Sequence, residues 1–538
     1  MKTLRIACFL LIAPMLYGNA ATHAPEMPVP ETFRNPILPG FHPDPSICRV
    51  GEDYYLVNSS FEWFPAIPVY HSRDLVNWKL IGYGLHRPEQ IALPEGMQDS
   101  HGLWAATIRH HDGLFYLTAT CYKNGGNFYI TAENPAGPWS DPVWLDIPGI
   151  DPSLMWDDDG KCYYTGNGRP QSDPKWKGLR TIWAQELDLE QKKLVGERVE
   201  LSRGHANNSV WAEGPHIYKI DGKYLLLYAE GGTGRNHATV VEHSDSVLGP
   251  YRVDQINPVL THRHLGEDYP VHSVGHTDMV QTQNGDWWAV TLARRNIDGY
   301  SILARETFLC PVRFEGDTPI FNAGVGRLPT EDTRPDLPWA PFPAKPVRDE
   351  FDSDRLDLEW NMLRTPQSEW YRLKNGMLTL QLTPNVLSEL TNPSLLARRI
   401  EHLQFTACTK LRFSTEQPNE KAGMILYRSS QCHYQFLKTK DRLVLIKTVT
   451  GKETEVARVT FVGDEVVLKA KADRLHLQFF YGKSEESLKP IGTTQSMSVL
   501  SWETAEGFSG PYVGMYATGS DEASTATASF DWFEYRGE

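Results

Sequence analysis

The chain has 538 residues, of which 41% are hydrophobic and 22% are charged. This length exceeds what one hydrophobic core usually supports, so it predicts two or three domains, and the composition is typical of globular proteins. The formal net charge of −14 argues against nucleic acid or an anionic membrane surface as a partner and fits a neutral substrate.

The N-terminus has the pattern of a secretory signal peptide over residues 1–20. Lys2 and Arg5 precede an apolar run from Ile6 to Leu16, and small residues follow at positions 18–21. A membrane anchor is the alternative, but the run is too short to span a bilayer. No later segment is apolar enough to do so. The sequence therefore predicts a secreted or periplasmic protein without a membrane span.

The cysteines carry little information about a site. Of the seven, Cys8 falls in the signal region, and the other six are scattered without a CxxC pair. This spacing favours buried thiols over a disulfide framework and does not indicate a zinc site.

Residues 33–327 contain a recurring β unit that begins with a rigid Pro- and Gly-rich turn at 35–47. In each unit, Asp or Asn, usually with Gly, precedes aromatic residues, which is a hairpin-turn signal. Successive units are 48 to 63 residues apart when measured between their first aromatic residues, Tyr54, Phe115, Tyr163, Tyr224 and Trp287. A period in this range, with several strands in each unit, predicts a β-propeller.

The first strand of each unit opens with a residue that could serve chemistry. These residues lie 10 to 12 positions before the aromatics and are Asp44, Trp104, Asp151, Glu213 and His276. Equivalent positions of a propeller surround one axis, so we expect three carboxyl groups, an imidazole and an indole to meet in one funnel. An isolated Asp before Pro is more often a turn former. The recurrence of Asp-Pro-Ser at Asp44 and Asp151, in register with the repeat, favours a functional role.

Facing carboxyl groups are the usual minimum for glycoside hydrolysis, because one protonates the leaving oxygen and the other activates water or attacks directly. Glu213 has apolar neighbours such as Trp211 and Pro215, which raise the pKa of a carboxyl group, so it is the candidate acid. Asp44 is the candidate base. Asp151 would add a second negative charge that helps keep Glu213 protonated and orients it.

Other residues near these acids could bind a sugar. His276 could contact a hydroxyl group, a water network or a metal ion. Trp104, together with Phe61 and Trp63, could stack on a pyranose or furanose ring, because aromatic faces suit the C–H faces of neutral sugars.

The second half of the chain has a different pattern. Six prolines fall between residues 328 and 347 and predict a stiff linker. Residues 348–538 contain many short alternating strands without the earlier repeat, which predicts a β-sandwich.

At these motifs the sequence resembles glycoside hydrolase family 43, in its two-domain β-xylosidase and α-L-arabinofuranosidase branch. The resemblance implies an all-β protein with a five-bladed propeller followed by a concanavalin A-like jelly-roll sandwich. It also implies an inverting mechanism with Asp44 as general base, Asp151 as pKa modulator and Glu213 as general acid. The stretches that carry it are 35–47, 59–65, 70–78, 213–218, 275–276, 305–309 and 349–352.

The resemblance also implies substrate-binding residues. The family's active-site arginine falls on Arg295, but Asn296 replaces the usual proline after it, so Arg294 is the competing assignment. The central histidine falls on His276, which in some relatives helps hold calcium or its water shell on the propeller axis, whereas others need no metal. No cofactor is therefore expected to be required. Phe508 matches a sandwich loop that closes over the active site in similar enzymes.

The predicted function is exo-hydrolysis of terminal β-1,4-xylosyl or α-L-arabinofuranosyl residues from xylo- or arabino-oligosaccharides, arabinoxylan or arabinan. An open cleft would instead favour an endo-arabinanase. A sugar-binding propeller without catalysis is the alternative from another class, since fold alone does not determine function. The sequence leaves the preferred pentose and the oligomeric state open, and a homo-oligomer is compatible with it.

Overall fold

The computed structural model describes residues 29–170 and 172–538, so the predicted signal peptide lies outside the described residues. Over this part of the chain, five antiparallel sheets follow one another between Ser46 and Phe321. We number them as blades 1 to 5. Their strands are, in blade 1, Ser46–Val50, Asp53–Val57, Ala66–Ser72 and Lys79–Leu85; in blade 2, Gly102–His111, Leu114–Tyr122, Gly126–Ala132 and Val143–Leu145; in blade 3, Ile150–Trp156, Cys162–Gly168, Thr181–Asp188 and Lys193–Ser202; in blade 4, Glu213–Ile220, Lys223–Glu230, Ala238–Ser244, Arg252–Val253 and Leu260–Thr261; and in blade 5, Val271–Gln281, Trp287–Arg295, Glu306–Glu315 and Thr318–Phe321.

The blades form a closed ring. The first strand of each blade packs against the first strand of the next, and blade 5 packs against blade 1 in the same way. Each predicted hairpin signal lies between the first and second strands of its blade. The prediction of a five-bladed propeller is therefore confirmed.

The C-terminal region is a sandwich of two large sheets, also as predicted. Short strand pairs join Thr32–Arg34 to Glu331–Thr333 and Trp63–Phe64 to Met362–Leu363. Three single-turn helices cover Glu485–Ser487, Met497–Leu500 and Trp502–Ala505. One sheet contains Arg348–Asp349, Tyr371–Leu373, Leu378–Gln381, Gln404–Arg412, Glu465–Asp473, His476–Gly482, Lys489–Ser496 and Thr527–Gly537, and the other contains Ser394–Arg399, Lys421–Ser429, Cys432–Thr439, Arg442–Val449, Lys452–Thr460 and Tyr512–Thr518.

A buried carboxylate, Asp278 of blade 5, ties the inner strands together. Its Oδ2 accepts hydrogen bonds from Ser46 Oγ at 2.6 Å and Arg109 Nη1 at 2.8 Å, and its Oδ1 accepts one from Tyr218 Oη at 2.5 Å. These partners come from blades 1, 2 and 4. Burial favours the neutral acid, but Arg109, His216 and the hydrogen bond from Ser46 together outweigh this and lower the pKa of Asp278, so the carboxylate remains charged. The network fixes the inner strands relative to one another, and with them the side chains at their ends.

The segment before blade 1 fastens the ring and carries Asp44 to its mouth. The side chain of Asn35 pairs with both the N–H and the C=O of Leu309, each at 2.9 Å, and Leu38 pairs with Thr307 through the backbone. Gly40 has φ +83°, and a Cβ there would lie 2.6 Å from the carbonyl oxygen of Ile400 in the sandwich. Glycine is therefore required where this segment passes the second domain.

The two domains share an apolar core cluster to which Phe41, Phe61, Trp63 and Tyr512 belong. Trp63 is fully buried and stacks on Tyr512 with ring centroids 3.6 Å apart. It is therefore not available to stack on a sugar, and that part of the sequence prediction is wrong. Cysteines in the described residues are buried and free. Across those residues, no helix has the length and hydropathy needed to cross a bilayer.

Candidate active site

The structure places the five residues that the sequence predicted at the blade openings around one pit, although His276 lies in the middle of its strand, Val271–Gln281. The pit is a small cavity of about 60 Å³, which these five residues line together with others. Phe61 and Phe508 also line it, whereas Arg295 does not. The residues of the pit are Asp44, Phe61, Trp104, Ala105, Ile150, Asp151, Glu213, Thr233, His237, His276, Leu292, Arg305 and Phe508.

A β-bulge near the start of the inner strand affects how Asp151 and Glu213 enter the pit. In blade 3 the pairing register changes between Ile150 and Ser153, and blade 4 has the same change at the equivalent point. Asp151 lies inside its bulge with a left-handed φ of +54°, and the matching residue of blade 4 is Gly214, with φ +60°. Glu213 therefore precedes its bulge. It is offset by one residue from Asp151, a difference that changes the direction of the side chain.

Asp44 is the carboxylate that remains ionised. Arg305 Nη1 donates to its Oδ1 at 2.6 Å, Ser59 Oγ donates to its Oδ2 at 2.7 Å, and His276 Nδ1 lies 4.0 Å from Oδ1. Burial would raise the pKa of Asp44, but Arg305, His276 and Ser59 together hold it below the ordinary value. Asp44 is thus set up to accept a proton, not to carry one.

Asp151 and Glu213 behave in the opposite way. Burial, and then the charge of Asp44, raise the pKa of Glu213 to about 7. Burial, followed by the charges of Glu213 and Asp44, raises the pKa of Asp151 well above its ordinary value. Like charges in one buried space resist joint ionisation. The pit therefore combines one ionised carboxylate with a carboxyl pair that retains a proton near neutral pH.

Aromatic rings form one wall of the pit. Phe61 and Phe508 stack with centroids 6.0 Å apart, and Trp104 meets Phe508 edge-on at 5.3 Å. Phe508 comes from the sandwich, so the second domain completes the site. Apolar faces of this kind suit the C–H faces of a sugar ring.

The structure corrects the arginine assignment. Arg295 donates from Nε and Nη2 to Glu306 at 2.8 and 2.7 Å, and Glu306 also accepts the N–H of Gly40 at 2.8 Å, so Arg295 supports the segment that leads to Asp44. Arg294 lies 3.9 Å above the ring of Trp502 instead. The pit receives Arg305, which directly precedes the third strand of blade 5. Its signal was the stretch 305–309 that carried the family resemblance.

His237 is a pit residue that sequence reasoning missed. Its Nδ1 lies 3.2 Å from the carbonyl oxygen of Ser273, and burial lowers its pKa to about 3, so the ring is neutral and Nδ1 donates to that carbonyl. Its Nε2 is then an acceptor, and it has no partner within the described part of the chain. His237 does not open a blade, so the repeat gave no signal for it.

The Phe508 loop is held by hydrogen bonds to the backbone of Phe508 and to the side chain of Ser509. Arg305 Nη2 donates to the carbonyl oxygen of Phe508 at 3.2 Å, and the N–H of Phe508 donates to Ser100 Oγ at 2.8 Å. The next residue, Ser509, donates from Oγ to Glu62 Oε2 at 2.6 Å. The propeller therefore positions the aromatic residue that the sandwich supplies.

We expect Ser509→Ala to raise KM for a pentoside about 5- to 10-fold, with a smaller change in kcat, because a hydrogen bond to a buried acid is lost and Phe508 is held less firmly. Initial-rate kinetics measure the effect. The matched control is Ser414→Ala, which alters an exposed serine of the sandwich. An unchanged KM in Ser509→Ala, with an unchanged melting temperature, would show that the bond to Glu62 does not position Phe508.

The residues of the pit give no positive support for a calcium ion. Calcium prefers six to eight oxygen ligands. In the described residues, no three His, Cys, Asp or Glu side chains are grouped so that they could hold a metal ion. The cation of Arg305 already pairs with Asp44. We therefore derive no step through a metal at His276.

Comparison with known families agrees with this architecture. Residues 33–319 match the family model described as glycosyl hydrolases family 43. Residues 348–536 match the beta xylosidase C-terminal concanavalin A-like domain. Together the two matches cover the propeller and the sandwich.

Individual relatives are similar along almost the whole chain. A xylosidase/arabinosidase of Butyrivibrio fibrisolvens is 41% identical over 93% of this chain and 98% of its own length. A non-reducing end alpha-L-arabinofuranosidase of Bacteroides ovatus is 39% identical over 94% of this chain and 95% of its own. The crystal structure of a xylan beta-1,4-xylosidase from Bacillus halodurans C-125 superposes with a TM-score of 0.87 at 34% identity, covering 94% of this chain and all of the other.

Proposed function

The chain belongs to glycosyl hydrolase family 43 and is a glycoside hydrolase, and we propose that it is an exo-acting enzyme that removes single terminal pentosyl residues. The bonds it cleaves are β-1,4-xylosyl or α-L-arabinofuranosyl linkages in short oligosaccharides, arabinoxylan or arabinan. The observation that carries the proposal is one small pit in which three carboxyl groups with opposed pKa shifts face an aromatic wall.

In the proposed mechanism Asp44 and Glu213 divide the proton transfers. Asp44 accepts a proton from water as the water oxygen bonds to the anomeric carbon. Glu213 gives its proton to the departing oxygen as the glycosidic C–O bond breaks, so the sugar inverts. Asp151 and Glu213 cannot easily ionise together in one buried space, so the presence of Asp151 helps the pair to retain the proton that Glu213 delivers. Arg305 keeps Asp44 ionised in the resting enzyme.

The dimensions of the pit support exo attack. It is a small cavity bounded by Phe508 of the sandwich, which favours a site for the terminal sugar of a chain over a site for a chain that continues on both sides. An open cleft, the feature expected of an endo-arabinanase, is not supported. A purely sugar-binding propeller gains nothing from an ionised base beside a protonated acid.

The proposal includes the setting in which the enzyme works. The predicted signal peptide at 1–20 supports export to the periplasm or the medium, where plant-type oligosaccharides would be encountered. The partners are then the oligosaccharides themselves.

The test compares the wild-type protein on an aryl β-xyloside and an aryl α-L-arabinofuranoside, followed by the corresponding oligosaccharides. We expect release of free pentose without longer products. Proton NMR of the first turnovers should show the inverted anomer, α-xylose from a β-xyloside. Release of oligosaccharides would contradict exo attack, the retained anomer would contradict direct displacement, and inactivity on every substrate would contradict the proposed function.

A further inference from the structure

A second cavity opens directly beside the pit. It has a volume of about 1020 Å³ and shares Trp104, Glu213 and Phe508 with the pit, so it lies on the side of the proposed acid. In the proposed mechanism the leaving group departs with the oxygen that Glu213 protonates, as the bond from that oxygen to the anomeric carbon breaks. We call this cavity the vestibule, and the lining residues that matter here are Lys123, Arg169, Arg180, Trp183, Arg198 and Trp211.

The vestibule is cationic although the whole chain has a formal charge of −14. Its four cations are Lys123, Arg169, Arg180 and Arg198. In the described residues, no carboxylate oxygen lies within 4.0 Å of a side-chain nitrogen of any of them, so none forms an ion pair. Its two carboxyl groups do not offset them: Glu213 is the proposed proton carrier, and Glu200 pairs with Arg203 outside the vestibule. Four cations without counter-charges in one cavity attract an anion.

Two of these cations influence each other. Burial, and then the nearby charge of Arg169, lower the pKa of Arg180. The guanidinium of Arg180 lies 4.4 Å from the ring centre of Trp211. A carboxylate that bridged Arg169 and Arg180 would relieve their repulsion, and guanidinium groups bind carboxylates in a bidentate manner.

The vestibule also presents aromatic surface. Trp211 is 39% exposed and has a left-handed φ of +56°, a strained conformation for so bulky a residue. A Cβ at Gly232 would lie 3.2 Å from its Cδ1, so the neighbouring chain is shaped around the indole. Trp183 lies deeper, with the guanidinium of Arg198 5.2 Å from its ring. Two of the cations therefore lie beside rings, Arg180 beside Trp211 and Arg198 beside Trp183, which suits a ligand with both sugar faces and negative charge.

We propose that the vestibule binds the leaving group and prefers one that carries a carboxylate, such as a xylo-oligosaccharide with a uronic acid branch. The indoles contact the sugar rings, and Lys123, Arg169, Arg180 and Arg198 surround the acid. This inference rests on the proposed function, because it takes Glu213 as the group that releases the leaving group. It adds a charge preference that a neutral pentosyl pit cannot supply.

The test uses two oligosaccharides with the terminal pentose that the aryl-glycoside assay identifies. They have the same backbone length, and one carries a uronic acid branch on the unit next to the scissile bond. We expect the wild type to favour the acidic substrate by about 10-fold in kcat/KM at low salt. The preference should shrink as ionic strength rises, because salt screens exposed charges. The double variant Arg169→Gln/Arg198→Gln should lose most of it.

The control is Arg252→Gln, which removes an exposed arginine of blade 4 outside the vestibule and should leave the preference intact. Inhibition of aryl-glycoside hydrolysis by the acidic leaving group provides a second measurement, and its Ki should rise in the double variant. Equal rates on both oligosaccharides, or a preference that survives in the double variant, would overturn this inference while hydrolysis itself still supports the proposed function. Absence of hydrolysis on every substrate would instead overturn the proposed function.

Discussion

Asp44→Asn is expected to lower kcat/KM by about 10³- to 10⁴-fold on both aryl glycosides and oligosaccharides. The amide has the shape of the carboxylate but cannot accept a proton from water, and general-base catalysis contributes about 10²–10⁴-fold. The loss should be similar for good and poor leaving groups, because the proton that Asp44 takes comes from water and not from the leaving oxygen.

The same substitution removes the counter-charge of Arg305, whose side chain is 4% exposed. Leaving a buried guanidinium unpaired costs about 3 kcal/mol, so the melting temperature should fall while the protein remains folded at the assay temperature. Circular dichroism checks this. Asp53→Asn, which alters a half-exposed carboxylate of blade 1 that pairs with His71, is the control. If Asp44→Asn kept a tenth of the wild-type activity, Asp44 would not be the base.

Glu213→Gln is expected to have an effect that depends on the leaving group. On an unactivated oligosaccharide, kcat should fall by about 10³-fold, because the departing oxygen receives no proton. An aryl glycoside with a strongly acidic phenol leaves without help, so its hydrolysis should fall far less. Steady-state kinetics over a series of phenols measure the difference, and Glu197→Gln, an exposed position of blade 3, serves as the control.

The pH profile gives an independent test of the same residue. In the proposed mechanism Glu213 acts when protonated, so the wild-type kcat/KM should decline as the pH rises through about 7, the value to which burial and Asp44 raise the pKa of Glu213. Asp44 acts when ionised, and its pKa is lowered, so the acid limb should lie below the ordinary range of aspartate. In Glu213→Gln the alkaline limb should vanish. A limb that persisted there would assign the titration to another group.

Arg305 connects the two halves of the site. One nitrogen binds Asp44 and another binds the carbonyl oxygen of Phe508. The charge state of the base and the position of the sandwich loop therefore depend on the same side chain. The second domain therefore contributes to a site whose acids all come from the propeller.

Much of the fold could be predicted from local patterns. The turn chemistry around Asp112, Asp159 and Asp221 and the spacing of the aromatic residues revealed the blades, because hairpin signals and strand alternation are encoded within a few residues. Asp44 and Asp151 were found because the tripeptide Asp-Pro-Ser recurs in register with the repeating β unit. Glu213 was found by spacing, but its offset of one residue relative to Asp151 was not. A bulge adds one residue and redirects the side chain, and a spacing of 10 to 12 residues is too broad to reveal that change.

Tertiary structure alone decided which arginine enters the pit. Arg295 and Arg305 flank the same loop of blade 5, and the difference between them arises from Glu306, which binds Arg295 together with the distant Gly40. His237 and the placement of Phe508 against Ser100, 408 residues away, depend on contacts of the same kind. The sequence by itself determined the blades, the sandwich and the candidate acids, since these follow from neighbours along the chain. The arginine and the closed wall of the pit required the folded molecule, because the direction of a side chain at a strand end is set by groups that only folding brings near.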